Sequence, residues 1–303
     1  MTVCIAAMSG EHVVSASDTM VTGAVLSTDA CSSKWESFAP DWQVMISGSD
    51  ITPASPIIER AAENIKGKPN TPGEVRRAFK RAFQQQLAEV SADRVLGRFG
   101  LDTGTFLKDG RKRFDDATFF ELCKEIRAVH FSDLEFLIWG FDKQGIPHIF
   151  KVLGDGETAV FDRPGFATIG SGGYAADTIL YYFNQARASN LWDTIFHVCA
   201  AKFTAERAGA GRDTSFFVAK KGTAVFSHLS SLIDSLRSVW EEHGAPRIPV
   251  QAYEIIKRSN LRYESIEEHI ESFKAGPTSP QSTTADPSPQ QPSPESPEGS
   301  DES

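Results

Sequence analysis

The sequence contains few cysteines and histidines for a chain of 303 residues. Its four cysteines are Cys4, Cys31, Cys123 and Cys199, and no two of them form a CxxC pair. The seven histidines are scattered, without the short spacings that are typical of metal ligands. These absences argue against a disulfide scaffold, a metal site and a cofactor. We expect reduced and mostly buried thiols, as in a cytoplasmic protein.

The sequence also lacks an excess of basic residues and long apolar runs. Its formal net charge is -9, which argues against nucleic acid as a partner because such proteins need a basic face. The sequence contains no run of 18 apolar residues, so no membrane span is predicted. The first residues show no basic stretch followed by an apolar segment, so no signal peptide is predicted. The hydrophobic share of 40% is enough for a sizeable core.

The composition changes sharply after Lys274. From residue 275 to residue 303 the chain is rich in Pro, Ser, Thr, Gln and acidic residues, and it has no aromatic residue, Lys or Arg. Such a segment buries too little apolar area to offset its ordering entropy. We therefore predict an ordered domain over 1–274 and a disordered acidic tail over 275–303, to which composition alone assigns no role.

Short segments rich in β-forming residues recur along the ordered part. Four of them open the chain as antiparallel hairpins, and five follow later. The predicted strands are Val3–Ala7, His12–Ser17, Lys34–Phe38, Trp42–Ser47, Leu134–Phe141, Pro147–Leu153, Thr158–Asp162, Ser215–Lys220 and Thr223–His228.

Helical periodicity occupies the intervening segments. Ser55 and Pro56 resemble a cap and a first position, and Thr71 with Glu74 has the form of a capping box. Residues 97–115 are polar and contain glycine, and a short helix is predicted near 119–129, so we interpret 97–130 as an insertion or lid. Further helices are predicted near 174–183, 192–203, 231–242 and 249–273.

The alternation of antiparallel strands with helices indicates the fold class. Runs of strands that alternate with helix pairs suit two stacked sheets covered by helices on both outer faces. We therefore predict an α+β protein with a four-layer αββα sandwich of two antiparallel sheets. This order of elements does not by itself name a function.

Thr2 is the first residue with a chemical role to consider. A small second residue normally permits removal of the initiator Met1, after which Thr2 would carry a hydroxyl and a free α-amine. The pKa of a free α-amine is about 7.7–8.0, so a useful fraction is neutral near pH 7 and can accept the hydroxyl proton. This is the threonine form of an activated nucleophile. Thr2 alone is a weak motif, since many proteins begin with these two residues.

Three residues at predicted strand ends strengthen that interpretation. Asp18 follows the second strand, Lys34 begins the third and Gly48 ends the fourth. In an antiparallel arrangement these ends can meet the start of the first strand. Lys34 would then favour the alkoxide of Thr2, and Asp18 would keep Lys34 charged. The backbone N–H of Gly48 would donate to a developing oxyanion, where a side chain would obstruct close approach.

The first fifty residues resemble the catalytic half of proteasome β subunits, of the bacterial peptidase HslV and of the Anbu group. In that family of N-terminal-nucleophile (Ntn) hydrolases, the aspartate, lysine and oxyanion glycine follow the threonine at offsets of 16, 32 and 46. Asp18, Lys34 and Gly48 follow Thr2 at the same offsets. The resemblance covers about residues 2–95 and 131–230. It departs at Val3, where most members have Thr or Ser and the Anbu group has an aromatic residue.

The resemblance implies further site residues. Ser171, in a Gly-Ser-Gly segment, matches the serine that hydrogen-bonds near the threonine amine, and Asp213 matches an aspartate of the same network. Ser215 corresponds only weakly to a later family serine, because Phe216 holds the matching place. Both Ser171 and Asp213 also have ordinary interpretations, as a helix cap and a turn residue.

The resemblance also implies a substrate groove. Thr22 matches a residue whose backbone holds an extended substrate. Ile46, flanked by Val21, would line a modest apolar pocket for the residue before the scissile bond.

Three functions stay open from the sequence. The first is a threonine-type peptidase or amidase that acts through an acyl-enzyme on a peptide or protein substrate. The second is a catalytically silent subunit of a proteasome-like assembly. The structural α subunits of these assemblies carry an extension before the first strand and lack the threonine, which argues against this alternative. The third is a non-proteolytic amidohydrolase. The resemblance implies a homo-oligomer, as a ring, stacked rings or an open helical turn, and leaves an ATP-dependent unfoldase open as a partner.

Overall fold

The computed structural model describes residues 2–19, 21–22, 27–28, 34–68, 71–226 and 230–244. The predicted helix 249–273, the predicted tail and Cys31 lie outside these residues. The strands are β1 (Cys4–Ser9), β2 (His12–Asp18), β3 (Val21–Thr22), β4 (Ser27–Thr28), β5 (Trp35–Ala39), β6 (Trp42–Ser47), β7 (Glu135–Phe141), β8 (Pro147–Val152), β9 (Thr158–Val160), β10 (Phe166–Ile169), β11 (Thr214–Lys220) and β12 (Thr223–Phe226).

The helices form three groups along the chain, two of them between strands and the third after β12. Single helical turns of π type (Ala92–Leu96 and Trp240–Gly244) or 3-10 type (Gly97–Phe99) follow some of the α-helices. The α-helices are α1 (Ala54–Ile65), α2 (Pro72–Ser91), α3 (Thr103–Arg113), α4 (Asp116–Ala128), α5 (Gly173–Tyr182), α6 (Leu191–Arg207) and α7 (Ser230–Val239).

The strands form two antiparallel five-stranded sheets. One sheet has the order β10-β1-β2-β11-β12, and the other has the order β5-β6-β7-β8-β9. A separate ribbon pairs β3 with β4. In the first sheet Cys4 of β1 lies opposite Ser17 on one side and Ile169 on the other, which brings the start of β1 beside the ends of β2 and β10.

Alternation along β1 explains why the two sheets stack. Side chains from Cys4 to Met8 at every second position pack in one buried cluster with Leu137 and Trp139 of β7, between the sheets. The intervening residues, such as Ile5, pack against α5 and α6 in a second cluster. Successive side chains of a strand point to opposite faces, so β1 is apolar on both.

The second sheet is covered in the same way by α1 and α2. Val44 of β6 packs in a further cluster with Ile57 of α1 and Phe79 of α2. The order from one surface to the other is therefore helices, sheet, sheet, helices. The prediction of an α+β four-layer αββα sandwich is confirmed.

The segment 97–115 is more helical than predicted. The expected polar loop contains α3, and α4 begins at residue 116 rather than near 119. Asp102 and Asp115 accept hydrogen bonds from the amides of Thr105 and Thr118, so each caps its helix. Polar caps and a helical glycine look like loop composition in the sequence, but they form helix starts here. These helices share a small core with residues such as Leu96 and Phe106.

One other local prediction is wrong, and one strand was not predicted. Helix α1 begins at Ala54, after Pro53, without a side-chain cap, so Ser55 is already helical instead of being the cap. The strand β10 was not expected, because its four residues immediately precede a glycine-rich turn. It forms by pairing with β1, a contact between distant parts of the chain. Within the described residues, no helix is both long and apolar enough to cross a bilayer.

Candidate active site

Four strand ends meet at one edge of the sandwich. Thr2 lies two residues before the start of β1, Asp18 ends β2, Lys34 precedes β5 and Gly48 follows β6. The amide of Asp18 donates a hydrogen bond to the carbonyl of Val3 at 3.2 Å, which extends the β1–β2 pairing to the residue next to Thr2. The sheet topology therefore brings Asp18, Lys34 and Thr2 together.

Lys34 connects Thr2 with Asp18. Its Nζ lies 2.9 Å from Oγ1 of Thr2 and 2.8 Å from Oδ1 of Asp18. The Asp18 side chain is completely buried, and that of Lys34 is 10% exposed. The amide of Val3 donates to the same Oδ1 at 2.9 Å. A buried carboxylate thus holds an ammonium group against the threonine hydroxyl, with little water to weaken the attraction.

The backbone of Thr2 is held by the turn after β10. The Thr2 nitrogen donates to Oγ of Ser171 at 3.2 Å, and the amide of Gly172 donates to the Thr2 carbonyl at 2.9 Å. In the chain as translated this nitrogen is the amide that follows Met1, and it becomes an amine only after Met1 is removed. Ser171 is exposed. Its hydroxyl therefore lies beside the position of the amine in a processed chain.

Gly170 and Gly48 are closely packed against backbone. Gly170 has a φ of +86°, and an added Cβ would lie 2.5 Å from the carbonyl oxygen of Thr2. A Cβ on Gly48 would meet the backbone of Asp133 and Leu134 at 3.2 Å. The crowding at Gly48 therefore comes from the segment before β7, a reason for glycine that the sequence did not indicate.

Two further backbone contacts at this edge were missed. Glu135, the first residue of β7, accepts hydrogen bonds from the amide of Gly170 at 3.0 Å and from the hydroxyl of Ser47 at 3.4 Å. The amide of Gly211 donates to Oδ2 of Asp18 at 3.2 Å. A carboxylate at the start of a strongly apolar strand was the only sequence signal for Glu135, and Gly211 had none beyond its place in the Gly-Arg-Asp segment.

No described hydrogen bond joins the side chains of Asp213 and Ser215 to Thr2, Asp18 or Lys34. Asp213 is exposed and forms no hydrogen bond with another described residue. Ser215 is half-buried and lies opposite Ser17 in the β2–β11 pair. The structure therefore brings the backbone of Gly211, rather than the Asp213 carboxylate, into contact with Asp18. The proposed roles of Asp213 and Ser215 stay predictions.

The predicted groove residues are described only in part. Val21 and Thr22 form β3, and their side chains lie outside the described part of the chain. Ile46 is 8% exposed and packs in the cluster under α1 and α2. Its amide donates to the carbonyl of Lys34 at 3.0 Å, so Ile46 helps to place Lys34 through its backbone.

Cys4, two residues after Thr2, is an alternative nucleophile to consider. Its side chain is fully buried, and its thiol lies 3.6 Å from the carbonyl oxygen of Ile46. Burial raises the pKa of Cys4 to about 12, and the charge of Lys34 offsets only part of this effect. A neutral buried thiol is unreactive. Among the described residues, no group of three His, Cys, Asp or Glu side chains could hold a metal ion.

Comparison with known proteins places the fold. No family model matches the sequence, and no curated protein matches it. Among solved structures the chain resembles a mutant of Anbu from Hyphomicrobium sp. strain MC1, with a TM-score of 0.56 and 12% sequence identity. The match covers 88% of this chain and 100% of that one. At this identity the likeness establishes the fold alone, a proteasome-like sandwich.

Proposed function

We propose that this chain is an N-terminal-threonine peptidase or amidase, with Thr2 as its nucleophile after removal of Met1. The contact of the Lys34 ammonium with both the Thr2 hydroxyl and the buried Asp18 carboxylate carries this proposal. A cation beside a hydroxyl favours the alkoxide, and a hydroxyl paired with an α-amine is a known form of activated nucleophile. The fold likeness to Anbu is consistent with this class of protein.

In the proposed reaction the Thr2 hydroxyl attacks a peptide or amide carbonyl. Its proton passes to the α-amine, directly or through water, and Lys34 stabilises the alkoxide charge. The amide of Gly48 donates to the tetrahedral oxyanion. The C–N bond then breaks, the amine leaves with a proton and an acyl-enzyme ester remains. Water hydrolyses this ester and regenerates Thr2.

Further residues support these steps in the proposal. Ser171 orients the amine, because its hydroxyl lies 3.2 Å from the Thr2 nitrogen. Asp18 holds the Lys34 side chain in place through the 2.8 Å contact between Nζ and Oδ1. The roles implied by the family resemblance are kept for the remaining residues. These are Asp213, Ser215 and the groove residues Val21, Thr22 and Ile46.

The proposal is tested by labelling Thr2. An epoxyketone that reacts with both the hydroxyl and the amine of an N-terminal threonine should form an adduct that maps to Thr2. Thr2→Ser should still be labelled, and Thr2→Ala should be neither labelled nor active on short fluorogenic peptides. Mass spectrometry of the untreated protein should show the loss of Met1. Retention of Met1, or unchanged turnover by Thr2→Ala, would exclude the mechanism.

The same experiment separates the rival functions. A catalytically silent subunit would give neither labelling nor turnover. A non-proteolytic amidohydrolase would be labelled at Thr2 but would leave peptides intact while cleaving small amides. A peptidase would be labelled at Thr2 and would also cleave peptides, and its activity on peptides would disappear in Thr2→Ala.

We also propose that the chain forms a homo-oligomer. Tyr182 at the end of α5 and Trp192 at the start of α6 are 77% and 78% exposed, and Tyr174 is 86% exposed. Large exposed aromatic residues are enriched in protein–protein interfaces. Analytical ultracentrifugation should give a mass of several chains for the wild type and a smaller one for Trp192→Ser with Tyr182→Ser. A monomeric wild type would contradict this proposal.

A further inference from the structure

Three buried charged residues lie outside the proposed chemistry. We call Lys202 and Glu206 of α6, with Arg237 of α7, the Lys202 cluster. Their side chains are 0%, 12% and 8% exposed, respectively. Replacing buried ion pairs by apolar residues is often neutral or even stabilising, so stability alone is a weak reason for such a cluster. What its cations contact is therefore informative.

Both cations of the Lys202 cluster bind the backbone after α6. Nζ of Lys202 donates to the carbonyl of Gly211 at 2.7 Å, and Nη2 of Arg237 donates to the carbonyl of Arg212 at 3.2 Å. Glu206 accepts from Lys202 at 2.6 Å and from Nη1 of Arg237. One carboxylate thus joins two cations that hold two consecutive carbonyl groups.

The position of Arg237 is fixed from a second side. Its guanidinium lies over the ring of Phe203, with Cζ 4.4 Å from the ring centroid. A cation over an aromatic face is attracted by the ring quadrupole. Arg237 therefore contacts α6 through both Glu206 and Phe203. Because it also donates to the carbonyl of Arg212, it connects the α6–α7 contact with the 211–212 segment.

The held segment is the one that contacts the Asp18 carboxylate. Gly211 donates its amide to Oδ2 of Asp18 at 3.2 Å, while the other oxygen, Oδ1, accepts from Lys34 and from the amide of Val3. Among the described residues Gly211 supplies the only hydrogen bond to Oδ2. Loss of this contact would leave one oxygen of a fully buried carboxylate without a donor, which is costly.

The electrostatics agree with this geometry. Burial lowers the pKa of Lys202, and the negative charges of Glu206 and Asp18 act against that effect. Lys202 and Asp18 therefore attract each other across Gly211. Asp18 is thus bracketed by two cations, one in direct contact and one beyond Gly211.

We infer that Lys202, Glu206 and Arg237 are positioning residues that hold Gly211 against Asp18 and so keep Lys34 in contact with the Thr2 hydroxyl. None of the three touches Thr2. The inference rests on the proposed function, because it assigns the cluster a role in that same site. It also makes the docking of α7 on α6 a requirement for a competent site.

The test compares Lys202→Met with Cys199→Ala. Both residues lie on α6 and are buried, but the side chains that donate hydrogen bonds to the carbonyls of Gly211 and Arg212 are those of Lys202 and Arg237, not Cys199. We expect Lys202→Met to lower both kcat and the rate of epoxyketone labelling at Thr2 by about 10- to 100-fold, because small misplacements of catalytic groups have effects of this size. KM should stay within about 2-fold of the wild-type value. Cys199→Ala should leave both rates unchanged although it weakens the core.

Amide hydrogen exchange supplies a readout that does not need activity. In Lys202→Met the amide of Gly211 should exchange faster, whereas Cys199→Ala should leave its protection unchanged. If Lys202→Met does not fold, Arg237→Gln is used instead, since it removes the contact with Arg212. Equal kcat, labelling and exchange in Lys202→Met and Cys199→Ala would overturn the inference. If wild-type Thr2 is not labelled, the proposed function fails, and the exchange comparison still decides whether the cluster holds Gly211.

Discussion

At the scale of single residues, the site depends on one buried ion pair. Asp18 is inaccessible to solvent, and its carboxylate is neutralised by Lys34, whose ammonium also reaches Thr2. An exposed pair such as Lys80 with Glu157 contributes little to stability because water and salt screen it. The buried pair differs, because removing one partner leaves an uncompensated charge in the core.

Lys34→Met should therefore reduce both activity and stability. We expect loss of epoxyketone labelling at Thr2, and a decrease of about 3–5 kcal/mol in the free energy of unfolding, because Asp18 loses its partner. Urea denaturation measures the second effect. Lys80→Met is the control and should cost less than about 1 kcal/mol. Adding Asp18→Asn to Lys34→Met should recover part of the lost stability, and a further loss would contradict the pairing.

Gly170 provides a second residue-scale prediction. Gly170→Ala places a Cβ 2.5 Å from the Thr2 carbonyl oxygen, whereas Gly222→Ala, at a similar φ of +71°, meets no atom within 4 Å. Both variants carry the cost of a left-handed alanine, on the order of 1 kcal/mol. Only Gly170→Ala should also displace Thr2, so it should be less stable than Gly222→Ala and slower in labelling at Thr2. Equal effects in thermal unfolding and labelling would contradict the close approach.

At the scale of elements, strands and caps follow from local patterns. Strand β6 was predicted at its observed limits, and the Thr71 side chain accepts a hydrogen bond from the amide of Glu74, as expected for the capping box. By contrast, the composition over α3 predicts a loop, because its Asp102 cap and its glycines are typical of loops. Strand β10 forms only because β1 offers it a partner.

The cap of α2 can be tested directly. Thr71→Ala should lower the free energy of unfolding by about 1 kcal/mol, because the amide of Glu74 loses its acceptor. Thr71→Asp keeps an acceptor oxygen and should retain most of the stability. Chemical denaturation of the two variants decides the matter. A Thr71→Asp protein as unstable as Thr71→Ala would show that the contact is not a stabilising cap.

At the scale of the whole molecule, buried thiols make stability depend on alkaline pH. Burial raises the pKa of Cys199 from its ordinary value of 9.0 to about 12. In the unfolded chain the thiol loses its proton above pH 9, whereas the folded protein retains it. Since the unfolded state then binds fewer protons, stability decreases as pH rises from about 9 to about 12.

Cys199→Ala should remove this part of the pH dependence. Between pH 9 and pH 12, the free energy of unfolding of the wild type should fall by up to about 4 kcal/mol relative to that of Cys199→Ala, because each pKa unit corresponds to about 1.36 kcal/mol. Urea titrations at several pH values measure it. A pH-independent difference would mean that the thiol titrates normally in the folded protein.

The stacking of layers could be predicted from the sequence, because apolar alternation along a strand is a local property of the chain. The spacing of strand ends and the family resemblance also grouped Thr2 with Asp18 and Lys34, which are within hydrogen-bonding distance in the structure. The oxyanion role of Gly48 stays a prediction. Two contacts could be seen only in the folded protein: the hydrogen bond of Gly211, rather than Asp213, with Asp18, and the hydrogen bond that Glu135 accepts from Gly170. The contact between Gly211 and Asp18 joins residues 193 positions apart. A hydrogen bond of that kind depends on how two distant backbones meet, and no local pattern of side chains encodes it.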